Sequence, residues 1–224
     1  MEVIKQGLDI LLHLNEHLKD WIGEYGIWIY GILFLIIFVE TGLVVMPLLP
    51  GDSLLFAAGA LAAAPGGGLN IAILIPLLIA AALLGDNTNY FVGRFLGKLI
   101  KGKEKILFLK RKHIEKTEAY YSKYGGKTVI IARFVPIVRT VAPFVAGAGS
   151  MQYRKYIVNC VLGAVLWVGG VSLLGYACGN ISFIQENFEL VIFAIIGISL
   201  LPILIEVLRA RMKVKRDNSG TLHQ

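Results

Sequence analysis

The sequence has few charged residues and few cysteines. Asp, Glu, Lys and Arg make up 17% of its 224 residues, whereas an ordinary soluble domain has about a quarter. Its two cysteines, Cys160 and Cys178, fall within one apolar stretch, so neither a disulfide framework nor a zinc site is indicated. Residues 1–26 lack the basic start and small-residue cleavage site of a secretory signal peptide. Membrane insertion would therefore rely on internal segments.

Apolar residues are abundant: they make up 56% of the chain, and the mean hydropathy is +0.70. The formal net charge is +7, and the excess of Lys and Arg lies in the region 94–127 and in the tail 209–216. Positive charge beside apolar segments is typical of the cytoplasmic flanks of a membrane protein. A nucleic-acid binder needs a basic face on a folded soluble domain, so no nucleic-acid partner is predicted. No cofactor or metal site is predicted either.

The apolar stretches divide the chain into one membrane unit with polar ends. Residues 1–26 mix apolar and charged side chains, as expected for an amphipathic helix lying on the membrane. A single transmembrane domain is predicted over 27–208, followed by a basic cytoplasmic tail over 209–224. The positive-inside rule makes the basic loop 98–127 cytoplasmic as well. Long apolar runs predict spanning helices at 69–97, 155–180 and 188–208.

Two apolar segments, at about 40–64 and 128–149, are interrupted by proline and are predicted to be re-entrant hairpins. Charge asymmetry of the flanks places their openings on opposite sides of the membrane, which indicates an inverted repeat. The predicted fold class is an all-α polytopic membrane protein of the inverted-repeat, transporter-like kind, with two opposed hairpins and spanning helices. The prolines that break the segments are Pro47 and Pro50 in the first and Pro136 and Pro143 in the second.

A weak internal similarity agrees with a repeat. Glu40 precedes Pro50 by the same spacing as Arg133 precedes Pro143. Downstream, the stretch from Tyr90 to Gly93 is similar to the stretch from Tyr176 to Gly179. Gly93 and Gly97 also form a GxxxG motif, which is typical of close helix packing.

The broken segments carry four charged residues. Glu40 and Asp52 belong to the first, and Arg133 and Arg139 to the second. A charge at the centre of a membrane helix costs roughly 2.5–3.5 kcal/mol on insertion scales, so these residues are expected to pair or to serve transport. Arginine binds phosphate through its planar fork, and a buried carboxylate can take up a proton near neutral pH. The set therefore suits an anionic substrate exchanged against protons.

Several of these residues have simpler interpretations. Asp52 follows Pro50 and Gly51 and precedes a short helix, so Asp52 is also a candidate N-cap. Arg133 and Arg139 are long enough to extend towards lipid headgroups. Asp86, Asn89 and Arg94 either line a cavity or form a polar helix face.

Two runs of residues resemble the signatures of the bacterial DedA membrane proteins. The first runs from Glu40 to Leu55 and contains the stretch Pro50-Gly51-Asp52, and the second runs from Gly126 to Gly147 and contains both arginines. Gly85-Asp86, Asn89-Tyr90 and Gly93-Arg94 also fit the family. The resemblance extends over nearly the whole chain and is strongest to the branch that gives the family its name.

The resemblance implies the fold of the VTT (SNARE-associated) membrane proteins, many of which are lipid scramblases in eukaryotes. Bacterial members include flippases for undecaprenyl phosphate and for phosphatidylethanolamine, and others are tied to proton-dependent envelope homeostasis. The resemblance further implies an inner-membrane location, with Glu40 and Asp52 as proton-coupling residues and Arg133 and Arg139 as substrate-binding residues. Membrane lipids and protons are then the expected partners, and a homo-oligomer is left open.

The leading hypothesis is a proton-linked flippase for an anionic lipid such as undecaprenyl phosphate. The alternatives are a phosphatidylethanolamine translocase or scramblase and a proton-coupled cation or drug antiporter, although two arginines argue against a cationic substrate. An enzyme is not expected, because no histidine lies in the broken segments and no nucleophile with its acid–base partners is visible.

Overall fold

The computed structural model describes residues 23–42, 51–64, 68–100, 105–106, 109–110, 127–134, 136–149, 151–179 and 181. Several predictions fall outside these residues: most of the interfacial helix 1–26, the prolines Pro47 and Pro50, the span at 188–208 and the tail 209–224.

The described chain is helical apart from one short antiparallel pair of strands. The two strands lie in the basic loop, where Lys105 pairs with Lys110 and Ile106 with Leu109. A π-helical segment, Val165–Gly169, joins the last two described helices without interruption. The elements are α1 (Trp28–Gly42), α2 (Gly51–Ala63), α3 (Ile71–Ile100), β1 (Lys105–Ile106), β2 (Leu109–Lys110), α4 (Lys127–Ala132), α5 (Pro136–Ala148), α6 (Tyr153–Ala164) and α7 (Gly170–Cys178).

In the part of the chain that the structure describes, two helical stretches are long and apolar enough to cross a membrane. They are Ile71–Lys98, of 28 residues, and Tyr153–Cys178, of 26 residues. At 1.5 Å per residue, each exceeds the roughly 30 Å thickness of the hydrocarbon core. The structure thus has a helix at two of the predicted spans, with ends shifted by a few residues from 69–97 and 155–180.

The start of α3 follows from a local capping signal. Gly68 adopts a positive φ of 67° in the turn before the helix, a conformation that glycine adopts without steric cost. The side-chain oxygen of Asn70 then accepts a hydrogen bond from the backbone N–H of Ala72 at 2.9 Å. This is the arrangement of an N-cap residue, which satisfies one of the free N–H groups of the first turn.

In the described residues of the second broken segment, the helix is interrupted once, between α4 and α5. Residues Arg133 and Phe134 form a tight turn after α4, in which their backbone N–H groups bond three residues back. Pro136 opens α5, where a proline is tolerated because the first-turn N–H has no helical partner. The prediction that Pro143 also breaks the segment is wrong: Pro143 lies within α5. A buried proline there removes the helical hydrogen bond to one carbonyl, that of Arg139, without ending the helix.

The short helix α2 packs against α7 along a seam of glycines. A methyl group on Gly175 would collide with the carbonyl oxygen of Phe56, and one on Gly179 would collide with that of Ala60. Since the obstructing atoms belong to the backbone, only glycine permits this approach. Almost every residue of α2 between Gly51 and Leu61 is buried as a result.

Helix α5 packs against α3 in the same manner. A methyl group on Gly93 would meet the carbonyl oxygen of Phe144, and one on Gly97 would meet that of Ala148. The GxxxG motif at Gly93 and Gly97 is therefore a packing feature.

The two glycine seams can be aligned with each other residue by residue. This alignment differs by one helical turn from the one that the sequence similarity indicates. In the seam between α3 and α5, Gly93 faces the carbonyl of Phe144. In the seam between α2 and α7, Gly175 faces the carbonyl of Phe56 and so holds the equivalent position. Gly97 corresponds in turn to Gly179. The similarity of the stretches 90–93 and 176–179 pairs Gly93 with Gly179 instead, which lies one helical turn beyond Gly175. The small residues repeat every four positions, so a local comparison does not distinguish one turn from the next.

Among the described residues, the buried apolar side chains form two groups. The larger group lies on α1, α2 and the first half of α3 and includes Trp167. The smaller one contains Tyr90, Tyr156 and Cys160. The guanidinium of Arg133 contacts both groups, since it lies near the ring of Trp167 and the sulfur of Cys160.

Candidate functional site

Arg139 joins the two acids that the sequence places in the first broken segment. Its Nη2 donates a hydrogen bond to Oε1 of Glu40, and its Nη1 donates to Oδ1 of Asp52 at 2.7 Å. The Glu40 side chain is 1% exposed and that of Arg139 is 8% exposed, whereas that of Asp52 is 19% exposed. Three of the four predicted charges therefore form one cluster, and Asp52 is its most accessible member.

The helix ends bring these three side chains together. Glu40 lies in the last turn of α1, and Arg139 lies in the first turn of α5. Asp52 lies in the first turn of α2, where the helix dipole favours a negative charge. Its carboxylate nevertheless bonds to residues outside its own helix, so capping is not its only role. Gly51 beside it leaves room for Glu40, because a methyl group at position 51 would overlap the Glu40 carboxylate.

Arg133 belongs to a second ion pair. Its Nη1 donates to Oδ2 of Asp86 on α3, and both residues are buried. The thiol of Cys160 also donates to Oδ2 of Asp86, at 3.2 Å, and the hydroxyl of Tyr156 donates to the Asp86 carbonyl oxygen at 3.0 Å. Asp86 thus joins the charged site, and Arg133 bonds inside the protein instead of extending to headgroups.

Trp167 lies between the two ion pairs. Its indole N–H donates to Oδ1 of Asp52 at 2.7 Å, the same oxygen that Arg139 binds. The guanidinium carbon of Arg139 lies 4.5 Å from the centre of the ring, and that of Arg133 lies 5.4 Å from it. Both distances are within the range of cation–π attraction. One aromatic side chain therefore contacts both arginines and one acid.

The other two cavity candidates occupy different environments. Asn89 is buried, and its amide donates to the carbonyl oxygens of Thr41 at 2.5 Å and Thr140 at 3.4 Å. It thereby links α1 and α5 through α3. Arg94 is exposed and donates to the hydroxyl of Tyr90 at 3.2 Å. Arg94 thus lies apart from the charged cluster.

Several N–H groups of the two arginines, Arg133 and Arg139, have no hydrogen-bond partner in the described part of the chain. Among the described residues, Nε and Nη2 of Arg133 and Nε of Arg139 are buried without a hydrogen-bond partner. Buried N–H groups are nearly always paired in folded proteins, with ordered water or ligands included. These guanidinium groups can therefore donate to an anion. Within the same part of the chain, no group of three His, Cys, Asp or Glu residues is suited to hold a metal ion.

Comparison with known proteins identifies the family of this chain. The VTT domain family matches residues 49–177. Over 216 residues, covering 96% of this chain and 99% of the relative, the sequence is 47% identical to Protein DedA of Escherichia coli K12. The chain belongs to the DedA family. It is also 42% identical to an uncharacterized membrane protein of Mycobacterium tuberculosis H37Rv over 208 residues, which are 90% of this chain and 91% of that one.

A more distant DedA relative carries a location in its name. The inner membrane protein YghB of Escherichia coli K12 is 34% identical over 159 residues, 71% of this chain and 72% of the relative. No solved structure matches the chain. The resemblance seen in the two signature runs is thus confirmed, and the chain is a membrane protein. The VTT match contains Asp52, Asp86, Arg133 and Arg139, while Glu40 precedes it.

Sequence reasoning missed part of this DedA site. Trp167, Cys160 and Tyr156 contact the charged residues but carry no charge, so nothing in their type marks them as site residues. One signal was available for Trp167. In membrane proteins tryptophan is enriched at the interfaces, whereas Trp167 falls near the middle of the apolar stretch 155–180. A tryptophan at that depth needs a partner for its N–H, and here the partner is Asp52.

Proposed function

We propose that this DedA-family protein translocates an anionic lipid, such as undecaprenyl phosphate, between the leaflets of the inner membrane in a proton-linked cycle. The observation that carries the proposal is the position of Arg139 between Glu40 and Asp52, with its Nε unpaired. A guanidinium that already binds two carboxylate oxygens presents the geometry that a phosphate also uses. The phosphate would replace the acids on Arg139.

The balance of charge supports the link to protons. Asp86 neutralises Arg133, which leaves Glu40 and Asp52 sharing Arg139. Burying an uncompensated charge is costly, so in the proposed cycle one proton held by this pair of acids would balance the single charge of Arg139. A monoanion bound to Arg139 would require a second proton for the same reason. The proposed cycle therefore takes up one proton for each negative charge of the headgroup.

The packing of α2 and α5 supports a route for the headgroup. We infer that these helices are arms of two opposed re-entrant hairpins in an inverted repeat. Each has 13 residues, about 20 Å of helix and so too short to span the hydrocarbon. Backbone that enters the membrane without spanning it must be covered by protein, and both helices are covered along glycine seams. The headgroup would pass between the hairpins while the polyprenyl tail stays in the bilayer.

The proposed orientation places the basic loop 98–127 and the C-terminal tail in the cytoplasm of a multi-pass inner-membrane protein. A cysteine introduced at Ser219 should react with a membrane-impermeant maleimide in inside-out vesicles and stay unreacted in right-side-out vesicles. Because a surface tail is reached from its own side only, labelling in right-side-out vesicles would contradict the orientation.

A second candidate substrate is phosphatidylethanolamine. Its headgroup carries a phosphate and an ammonium, and the cluster presents Arg139 beside the partly exposed carboxylate of Asp52. A zwitterion changes no net charge on binding, so its transport by this site would need no proton. Dependence on a pH gradient thus distinguishes the two substrates.

Reconstituted protein would test the proposal directly. We expect liposomes containing the wild type to move labelled undecaprenyl phosphate across the bilayer, faster with a pH gradient, and Glu40→Gln to lose the pH dependence. Arg139→Gln should abolish transport. Arg94→Gln is the matched control, because Arg94 is an exposed arginine outside the cluster and should transport as the wild type does.

Two outcomes would exclude the proposal. If Arg139→Gln and Arg94→Gln transport undecaprenyl phosphate equally, the phosphate does not bind at Arg139. If the wild type moves phosphatidylethanolamine alone, at a rate independent of pH, the protein is a phospholipid scramblase. The proposal describes a transporter and not an enzyme, so the lipid recovered from the opposite leaflet should be chemically unchanged.

A further inference from the structure

The side chain of Trp167 contacts Asp52, Arg139 and Arg133, although nothing in the sequence marks it as a site residue. Its N–H and the Nη1 of Arg139 both bond to Oδ1 of Asp52, at 2.7 Å in each case. Its ring lies beside both guanidinium groups. Asp52 lies on α2, Arg139 on α5 and Arg133 in the turn after α4, so one side chain contacts three separate parts of the chain.

The backbone at Trp167 is also unusual. Residues Val165–Gly169 form a π-helical turn between α6 and α7. Such turns are rare and occur mostly as single bulges, frequently at functional sites, because the wider turn redirects side chains. Trp167 and the adjacent Val168 are both buried here. The bulge thus accompanies the placement of Trp167 against the ion pairs.

We propose that Trp167 is a positioning residue for the anion-binding arginines. Its N–H holds Asp52 in place, and its ring holds the guanidinium groups of Arg133 and Arg139 in fixed orientations. When a phosphate displaces the acids from Arg139, the ring contact remains, so the arginine does not turn away from the incoming headgroup. This inference rests on the proposed function.

A role in core packing alone explains less of the geometry. Trp167 does belong to the larger apolar group. A tryptophan that only fills space can satisfy its N–H with any nearby carbonyl oxygen. Here the acceptor is Oδ1 of Asp52, the same carboxylate oxygen to which the proposed transport residue Arg139 donates.

Transport kinetics would separate positioning from folding. Trp167→Phe keeps an aromatic ring but removes the N–H, and Trp167→Leu removes both. We expect Trp167→Phe to raise the half-saturating concentration of undecaprenyl phosphate roughly tenfold, the size expected for losing one hydrogen bond to a charged group. Its maximal rate should change much less. Trp167→Leu should raise the half-saturating concentration further, while Trp28→Phe, an exposed tryptophan elsewhere, should match the wild type.

A spectroscopic measurement tests the same contact without any lipid. With Trp21→Phe and Trp28→Phe, Trp167 is the only tryptophan of the chain. We expect Asp52→Asn and Arg139→Gln each to shift its fluorescence emission, because they change the charges that touch the indole. Glu24→Gln changes an exposed acid that is not a member of the cluster, and should leave the emission unchanged.

The kinetic and the fluorescence measurements would contradict different parts of the proposal. If Asp52→Asn leaves the Trp167 emission unchanged, the positioning role is excluded whatever the protein transports. If Trp167→Phe loses maximal rate in proportion to folded protein and keeps its half-saturating concentration, Trp167 is a core residue only. If the emission responds to Asp52→Asn while vesicles containing undecaprenyl phosphate have no effect on it, the contact is supported and the proposed substrate is the part that fails.

Discussion

Asp86 and Arg133 form a buried ion pair although 47 residues of sequence separate them. The two side chains are 3% and 6% exposed. The thiol of Cys160 donates to the same carboxylate oxygen as the arginine. Since each charge is compensated mainly by the other, the stability of the fold depends on both being present together.

The first prediction concerns this pair. Asp86→Asn should lower the free energy of unfolding by roughly 3–5 kcal/mol, because it leaves the Arg133 charge buried without a partner. Thermal unfolding of the purified protein in detergent would show the loss as a lower melting temperature. The double variant Asp86→Asn/Arg133→Gln should recover part of it, and Glu24→Gln serves as the control on an exposed acid. An unchanged melting temperature for Asp86→Asn would mean that the pair carries no such energy.

The second prediction concerns the glycine seam between α2 and α7. Gly175→Ala should destabilise the protein by about 1–3 kcal/mol, because the added methyl collides with the backbone carbonyl of Phe56, which cannot rotate away. Gly170→Ala in the same helix meets no atom within 4 Å, and should be neutral or stabilise by about 0.5–1 kcal/mol through helix propensity. Equal melting temperatures for the two variants would be evidence against the close approach of α2 and α7.

The third prediction separates function from stability. In Gly51→Ala the new methyl overlaps the Glu40 carboxylate, the end of a flexible side chain. Glu40 can move aside, but it then leaves Arg139. We therefore expect a folded protein whose lipid transport in liposomes is strongly reduced. Gly31→Ala, where a methyl has nothing within 4 Å, provides the comparison. Normal transport by Gly51→Ala would show that the Glu40–Arg139 contact is dispensable.

The fourth prediction concerns Asn89. Asn89→Leu removes the amide that links the Thr41 and Thr140 carbonyls, and should cost about 1–3 kcal/mol because these buried acceptors lose a donor. The matched change Asn159→Leu removes only a local bond within α6, to the carbonyl of Lys155, and should have little effect. Thermal unfolding measures both variants. A stable Asn89→Leu protein would imply that α1 and α5 are held together by other contacts.

Each charged residue of the site could be recognised as a candidate from the sequence alone. Glu40, Asp52, Arg133 and Arg139 stand out because a charge in an apolar segment is costly and needs a reason. The sequence did not predict which residues these charges bond to. The expectation that these charges pair is met by Arg139, whose partner Glu40 lies 99 residues away. Arg133 bonds instead to Asp86, which lies outside both broken segments. Which acid an arginine meets depends on how distant helices pack.

Prolines and glycines likewise indicate a local feature of the chain without predicting the tertiary contacts around it. A proline marks a place where a helix is costly, yet Pro143 lies inside α5 because neighbouring packing outweighs one lost hydrogen bond. The GxxxG motif at Gly93 indicated a close helix contact, but not its partner, and the repeat alignment came out one turn away from the register of the seams.

The length of apolar runs and the type of residue within them are local properties. They were therefore sufficient for the membrane class, the family, two long helices and the charged candidates. The pairing of Arg133 with Asp86, the sharing of Arg139 and the place of Trp167 follow from the tertiary structure. These contacts join residues far apart in the chain, and their energies depend on desolvation and distance, which exist only once the helices have packed.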